Sequence, residues 1–496
     1  MKFFKAIFVF VIISAVLLST FACGEQNGNT ESKDASDSAS SDDNSSAADE
    51  SETETESTDE SAYEPAVRDL DGKEIRFLVA GNAYSYYESF EIYADELTDE
   101  VINDAVYNRN QTVQDKYNCH ITAEKSGNVA NDMRTYVSSG LDTFDVYMPM
   151  INDAVKMVGE GLMLDLKTLD DLMLEKSWWD QKANEGLEIN GKLYFSTGDI
   201  SVLDNDCTMV MFFNKKLTSK YQVGDLYQLV KDYQWTLDKV YELSRVFTQN
   251  IDDDTVWNEK DNYGLHVAFN AAHSFYFGCG GTIAEKSANG GLTITIASES
   301  NQKILSDVFE ISYKPDVLTN KLPGCNTFEA IRDMFLNEQV MFTTFALVDI
   351  KSFRNAEGFD FGILPYPLYN TEQDEYRCLV STALVPCVCI PSNCANPEDT
   401  ALIVEAMAYY SVDTLTKAYY VKTLKGRDLV DEASEEMLDI IFASRVYDLG
   451  FIYNFGGVGS LIEQMNNASS SNFASYYEAI QGMVESKLQE TLDSFK

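Results

Sequence analysis

The pattern of apolar and polar positions changes twice along this chain. An uncharged apolar run fills residues 6–22, whereas residues 24–65 are almost wholly Ser, Asp, Glu, Thr, Asn and Ala. So few apolar side chains cannot offset the entropy of ordering the backbone. The pattern predicts a leader over 1–22, a disordered acidic linker over 23–66 and a folded part from residue 67 onward.

The folded part begins with short apolar runs that alternate with helical patterns. Residues 74–80 (EIRFLVA) predict a buried strand, and Thr98 precedes a helical pattern of apolar residues at three- and four-residue steps. Strands are predicted again at 119–124 and 144–150, with a short helix between them. This β-α-β-α-β order is typical of a parallel sheet covered by helices.

Apolar runs and helical patterns alternate in the same way to the end of the chain. The length of the folded part favours two domains. A helix is predicted after the capping residue Thr236, and Pro397 is well placed at a helix start. Further strand-like runs lie at 190–196, 208–215, 339–344 and 359–365, and further helical runs at 302–313, 328–336, 401–411 and 474–495.

The leader has the layout of a secretory signal, because Lys2 and Lys5 precede the apolar run and small residues end it. Cys23 follows immediately and resembles the lipidated cysteine of bacterial lipoproteins, although Thr20 and Phe21 depart from that signal. The alternative is ordinary cleavage after Ala22 and plain secretion. The acidic linker suits a tether above a membrane, which favours a lipid anchor on the extracytoplasmic face.

The chain is strongly acidic, with 37 Lys plus Arg against 80 Asp plus Glu and a formal charge of -43. Residues 24–66 hold 14 of the acidic residues and one basic residue, and the leader holds two lysines, so residues 67–496 keep 66 acidic and 34 basic residues. The folded part is therefore acidic by itself. Such a surface repels phosphates, which excludes nucleic acid as a partner.

Cysteines and acidic clusters do not predict a metal site. The eight cysteines after Cys23 form no Cys-x-x-Cys pair, and Cys387 and Cys389 are expected to share one face of a strand as buried thiols. Asp252–Asp254 resembles a calcium loop, but Trp257 stands where such a loop needs Gly. We expect no metal and no cofactor.

Several segments, in order, resemble the extracellular solute-binding proteins of ABC importers, in particular their sugar- and oligosaccharide-binding branch. The order and spacing of these segments carry the resemblance, which covers most of residues 70–460. The segments are 142–147 with 152–164 (DTFDVY, NDAVKMVGEGLML), 190–217 (NGKLYFSTGDISVLDNDCTMVMFFNKKL), 234–247 (QWTLDKVYELSRVF), and 328–345 with 359–367 (FEAIRDMFLNEQVMFTTF, FDFGILPYP).

The resemblance implies a two-lobed α/β fold of the type II periplasmic-binding-protein class, with a mainly parallel sheet in each lobe. On that pattern residues 67–198 and 341–376 form the first lobe, and residues 205–336 and 380–496 form the second. It implies capture of a small solute, a sugar or oligosaccharide, between the lobes, and delivery to the membrane permease of an ABC transporter.

The resemblance also points to candidate ligand-binding residues, since ligands lie off the carboxyl ends of parallel strands. Tyrosines can stack on sugar rings, and polar side chains can bind hydroxyl groups. For Asn152 and Asp153 the alternative is helix capping, and for a lone histidine a structural role. The candidates are Tyr84, Tyr86, Tyr87, Asn152, Asp153, Asp199, Asn270, His273, Tyr276, Phe345, Tyr453, Asn454 and Phe455.

Two other functions stay open at this level. Two carboxylates in a cleft can hydrolyse a glycosidic bond, so a secreted, surface-attached carbohydrate-active enzyme is one alternative. A binding protein for peptides or another non-sugar solute is the other. The sequence contains no Gly-x-Ser-x-Gly elbow, His-Glu-x-x-His motif, P-loop or dinucleotide fingerprint, which favours a binding protein over an enzyme.

Overall fold

A computed structural model describes residues 63–81, 88–251, 254, 256–268, 271–287, 290–421 and 432–496. Residues 59–496 form one compact unit. The predictions for the leader, for Cys23, for the linker up to residue 62 and for Tyr84, Tyr86, Tyr87 and Asn270 lie outside the described residues.

The strands, in chain order, are β1 Lys73–Ala80, β2 Cys119–Ser126, β3 Val146–Tyr147, β4 Met209–Asn214, β5 Tyr263–Val267, β6 Ala284–Lys286, β7 Leu292–Ile294, β8 Leu318–Thr319, β9 Val340–Ala346, β10 Phe361–Leu364, β11 Cys378–Leu379 and β12 Arg445–Val446.

The helices, in chain order, are α1 Val101–Tyr117, α2 Val129–Ser138, α3 Ile151–Met157, α4 Gln181–Leu187, α5 Leu203–Asp206, α6 Lys215–Lys220, α7 Leu226–Lys231, α8 Leu237–Ser244, α9 Ala271–Gly278, α10 Glu299–Ser312, α11 Phe328–Leu336, α12 Ile350–Arg354, α13 Pro397–Ser411, α14 Lys417–Tyr419, α15 Glu432–Ala443, α16 Leu449–Tyr453, α17 Leu461–Asn467 and α18 Phe473–Ser494.

Three parallel strands in the order β2-β1-β3 form the first sheet. β1 and β2 pair along their whole length, from Lys73 opposite Cys119 to Ala80 opposite Ser126. Ile75, Phe77 and Val79 pack in a core that also contains residues of α13. The predicted β-α-β-α-β order is confirmed, and we call the elements packed on this sheet the first lobe.

Five strands in the order β10-β4-β9-β5-β8 form the second sheet. β4 runs antiparallel to both of its neighbours, whereas β9, β5 and β8 run parallel to one another. We call the elements packed on this sheet the second lobe. Because β9 and β10 are its strands, the prediction that 341–376 belongs to the first lobe is wrong.

The chain then returns to the first lobe before its last helices. Cys389 forms a bridge with Tyr147, and Val388 forms one with Ser196. Ala401 and Met407 of α13 pack in the first-lobe core. The prediction that all of 380–496 belongs to the second lobe is therefore wrong for the segment that includes α13. Residues 190–196 form isolated bridges rather than the predicted strand.

The two helix starts predicted at Thr236 and Pro397 are confirmed. The Thr236 hydroxyl accepts a bond from the Lys239 amide at the start of α8, at 3.3 Å. Pro397 occupies the first turn of α13, where a missing N–H has no cost. The adjacent Trp178 and Trp179 are both buried, because they lie in an irregular segment rather than a helix.

The last three helices connect the two lobes. α16 packs against α3 of the first lobe, α17 against α9 of the second, and α18 against residues 158–160. One continuous group of buried apolar residues includes Tyr147 of the first lobe, Phe342 of the second and Ile462 of α17.

The described chain starts at Tyr63, whose ring lies 5.3 Å from that of Trp178. The folded part therefore reaches into the segment that was predicted to be linker. All eight described cysteines are free thiols, and Cys387 and Cys389 are buried as expected. Among the described residues, no helix combines the length and apolar character that crossing a membrane requires.

Candidate functional site

The carboxyl ends of the three first-lobe strands meet at one edge of the sheet because the strands are parallel. Ala80, Asn128 and the segment Met148–Met150 line a cavity of about 210 Å³ at this edge. Ala80 and Met150 also pack against Leu203 of α5. The cavity is therefore lined by the first lobe, and two of its lining residues also contact α5.

Asn152 and Asp153 belong to this edge, as predicted. The Thr382 hydroxyl donates to Oδ1 of Asn152 at 2.7 Å, which ties α3 to the segment that returns from the second lobe. Asp153 lines the cavity and accepts a bond from Lys156 at 2.9 Å. Neither side chain caps α3, whose N-cap is Met150, so the capping alternative is wrong.

A second cavity, of about 590 Å³, lies beside the other end of α3. Lys156 lines it from the first lobe, and Tyr453, Asn454 and Phe455 line it from the C-terminal region. The rings of Tyr453 and Phe455 are stacked, with centroids 5.4 Å apart and planes 12° apart. Asp153 lines the first cavity and its partner Lys156 lines the second, so this ion pair links the linings of the two cavities.

The Tyr453 hydroxyl is buried and has no hydrogen-bond partner among the described residues. Burial raises the pKa of this phenol above its ordinary value, so it stays a donor at neutral pH. A buried hydroxyl without a partner is costly and calls for a missing acceptor or water. Asn454, by contrast, is committed to Ser460, whose amide donates to its Oδ1 at 3.0 Å.

Asp199 lies on the segment that crosses between the lobes, but it lines neither cavity. Burial raises the pKa of its carboxyl to about 6, and the nearby Thr416 hydroxyl and the charge of Arg445 oppose that shift. Its backbone amide donates to the Trp178 carbonyl at 2.8 Å. The position fits a crossing residue, and a ligand contact here stays a prediction.

His273, Tyr276 and Phe345 are packed inside the second lobe rather than brought to the cavities. Burial lowers the pKa of His273 to about 4, and its Nε2 lies 3.1 Å from the Gly459 carbonyl, so the neutral ring donates there. The Tyr276 hydroxyl donates to the Thr282 carbonyl at 2.8 Å. Phe345 is a core residue that packs on Phe353. The contacts of His273 are therefore those expected for the alternative of a structural role.

The sequence did not identify Thr382, which joins Asn152 to the returning segment, or a group of buried charges around Arg445. Burial raises the pKa of Asp204 to about 7, with Arg445 opposing that shift. The only sequence signal for these residues was a single polar residue in apolar surroundings, and the fold is needed to show which partners it contacts. No group of three or more His, Cys, Asp or Glu side chains that suits a metal occurs in the described part of the chain.

No family model matches the sequence, and no curated protein matches it. Solved structures do. A cyclo/maltodextrin-binding protein complexed with maltotetraose superimposes with a TM-score of 0.55 and 12% identity, over 84% of this chain and 98% of that one.

Two further structures show the same likeness. The maltose-binding periplasmic protein of Listeria monocytogenes in complex with maltose gives a TM-score of 0.53 and 13% identity over 84% of this chain and 99% of that one. A sugar transporter from Rhizobium etli in an open conformation gives 0.53 and 13%, over 85% and 98%. At such identities the likeness establishes the fold: this chain has the two-lobed α/β fold of the type II periplasmic-binding-protein class that its sequence resemblance implied.

Proposed function

We propose that this protein is an extracytoplasmic solute-binding component of an ABC importer and that it captures a carbohydrate between its two lobes. The observation that carries the proposal is the likeness over nearly the whole length of proteins described as binding maltotetraose and maltose. The larger cavity supports it, since that cavity lies between α3 of the first lobe and the C-terminal region, and the smaller one lies at the carboxyl ends of the first-lobe strands.

The lining of the larger cavity suits a carbohydrate. The ring of Tyr453, which stacks on Phe455, lines this cavity and offers an apolar surface, while the Tyr453 hydroxyl is buried and without a partner among the described residues. Asp153 and Lys156 border the two spaces with one acceptor and one donor. Tyr84, Tyr86, Asn152, Asp199, Asn270 and the buried His273, Tyr276 and Phe345 remain proposals from the sequence resemblance, to be tested by substitution.

The proposed cellular context follows from the N-terminus. A lipid on Cys23 would hold the protein at the outer face of the cell membrane, and the acidic segment would act as its tether. The permease of an ABC transporter would then receive the solute. Mass spectrometry of the membrane fraction tests the anchor: a diacylglyceryl group on Cys23 supports it, and a soluble chain that begins at Cys23 without lipid contradicts it.

Thermal melting of the protein against maltose, maltotetraose, short peptides and amino acids tests the ligand class. A ligand at 100 times its Kd adds about 2.7 kcal/mol of stability by mass action. We expect maltotetraose to raise Tm and peptides not to. Binding of peptides alone would overturn the sugar assignment, and release of glucose from a bound glycan would favour the enzyme alternative.

Tyr453→Phe sharpens this test. In the free protein the substitution removes a buried donor that has no partner, so its stability should stay equal or rise. A sugar that gains access to this hydroxyl on binding should bind the variant about 5–10-fold more weakly, as expected for one hydrogen bond. Tyr477→Phe on α18 is the matched control. Equal affinity in both variants would remove Tyr453 from the site.

A further inference from the structure

A buried charge network joins the two lobes; its Arg445 and Tyr447 line neither of the two cavities along α3, but with Lys182 they line another of about 460 Å³. Arg445 of β12 donates from Nη1 to Oδ2 of Asp204 at 2.8 Å and to Oδ1 of Asn205 at 3.1 Å. Its Nε lies 3.4 Å from Oδ2 of Asp180, and the Tyr447 hydroxyl donates to the same oxygen at 2.7 Å. Only 13% of the Arg445 side chain and 2% of the Asp180 side chain are exposed.

The partners in this network belong to different lobes. Asp180 caps α4 through Oδ1, which accepts from the Ala183 amide, and follows Trp179 of the first-lobe core. Arg445 follows α15, whose Leu438 and Ile441 pack in the second-lobe core. Asp204 lies on α5, at the end of the segment that crosses between the lobes. The network therefore connects both lobes and the crossing.

We propose that Arg445, through Asp180 and Asp204, holds the two lobes in their present arrangement and so sets ligand affinity through that arrangement. This inference rests on the proposed function only for its effect on affinity. A buried ion pair between two bodies favours the arrangement in which it is formed, because separating the partners leaves a desolvated charge unpaired. Ligand affinity depends on the fraction of molecules in the competent arrangement.

Two substitutions weaken the network without removing the arginine. Asp180→Asn keeps the shape and the α4 cap but replaces the carboxylate that Arg445 and Tyr447 share. Tyr447→Phe removes one hydrogen bond to Asp180 and leaves every charge in place. Asp145→Asn is the matched control, since Asp145 is a buried carboxylate whose partner, Arg76, belongs to the same lobe.

The decisive measurement needs no ligand. Nitroxides at Leu141 of the first lobe and Val246 of the second, both exposed, report the interlobe distance by pulsed electron paramagnetic resonance in the full chain with Cys23 and Cys394 replaced by Ser. We expect Asp180→Asn and Tyr447→Phe to lengthen or broaden the distance distribution and Asp145→Asn to leave it as in the parent. An unchanged distribution in Asp180→Asn would overturn the proposal, whatever its Tm.

Affinity is the second readout, with maltotetraose as the probe. Coupling between lobe arrangement and binding should weaken affinity by about 5-fold or more in Asp180→Asn, and Asp145→Asn should bind as the parent does. A changed distance with unchanged affinity would overturn the claim that the network sets affinity. If the parent itself does not bind maltotetraose, the sugar assignment is wrong, while the distance measurement still decides whether the network holds the lobes.

Discussion

Glu405 illustrates how a single buried residue can affect the stability of the first lobe. Both adjacent tryptophans donate to it, Trp178 to Oε1 at 2.9 Å and Trp179 to Oε2 at 2.8 Å, and the Met173 amide donates at 3.2 Å. These bonds explain why both indoles are buried. Burial nevertheless dominates, and it raises the pKa of Glu405 from 4.5 to about 7.

This raised pKa predicts a pH-dependent contribution to stability. Between pH 4.5 and 7 the folded state binds a proton that the unfolded state has lost, so the contribution is full below pH 4.5 and is lost as pH rises through 7. Glu405→Gln cannot ionise. Its unfolding free energy relative to the parent should therefore rise between pH 5 and pH 8, by at most about 3 kcal/mol.

Urea denaturation at pH 5, 6, 7 and 8 measures this difference. Glu310→Gln on α10 is the control, because its side chain is exposed and its difference from the parent should be flat with pH. A flat difference for Glu405→Gln as well would show that the carboxylate is ionised throughout in the folded protein.

Phe345 was predicted to contact ligand, but it packs in the core of the second lobe. Its ring packs on Phe328 and Phe353, and the Arg332 guanidinium lies over it. We expect Phe345→Ala to lose about 3–5 kcal/mol of stability in chemical denaturation, as for other buried aromatic residues, and to keep its ligand affinity. Val348→Ala, which is exposed nearby, should change neither. Lost affinity with intact stability would restore Phe345 to the binding site.

At the scale of elements, β5 lies unusually close to the end of α8. An added Cβ on Gly264 of β5 would lie 1.8 Å from the Ser244 carbonyl oxygen, so no side chain fits without moving a backbone. Gly264→Ala should therefore lower the unfolding free energy by about 2–4 kcal/mol. Gly482→Ala is the control, because this helical glycine has open space around it and alanine there should stabilise α18 by about 0.5–1 kcal/mol. Equal stabilities in thermal melting would contradict the close approach.

Local patterns identified many of the longer elements because apolar periodicity and caps act within a few residues. The prediction of a strand over 74–80 matches β1, and that of a helix over 328–336 matches α11. Pairing was harder to predict. β9 pairs with β4 and β5, which are far away in the chain, and the apolar run that contains Cys387 returns to the first lobe. No local pattern distinguishes which sheet such a run joins.

For the candidate site, too, local rules predicted positions along the chain but not which side chains meet in the fold. The rule that ligands lie at the carboxyl ends of parallel strands led to the edge of the first sheet, where Asp153 lines a cavity, and ligand binding there stays a prediction. It could not show that His273 and Phe345 are packed inside the second lobe, since a residue that follows a strand can point to either side. Nor could it find Arg445 and Asp180, which meet only through the packing of the lobes.

At the scale of the whole molecule, the charge of -43 opposes compactness, because like charges on two lobes and a tether repel one another. Salt should therefore stabilise this protein. We expect Tm to rise as NaCl goes from 10 to 150 mM, since the screening length falls from about 30 Å to about 8 Å over that range. Further salt should add little, because the repulsion is by then already screened at the distances between surface charges. A Tm that instead rises steadily toward 1 M would indicate exclusion of salt from the surface. A Tm that falls with the first additions would mean that favourable surface ion pairs such as Arg134–Glu160 outweigh the repulsion.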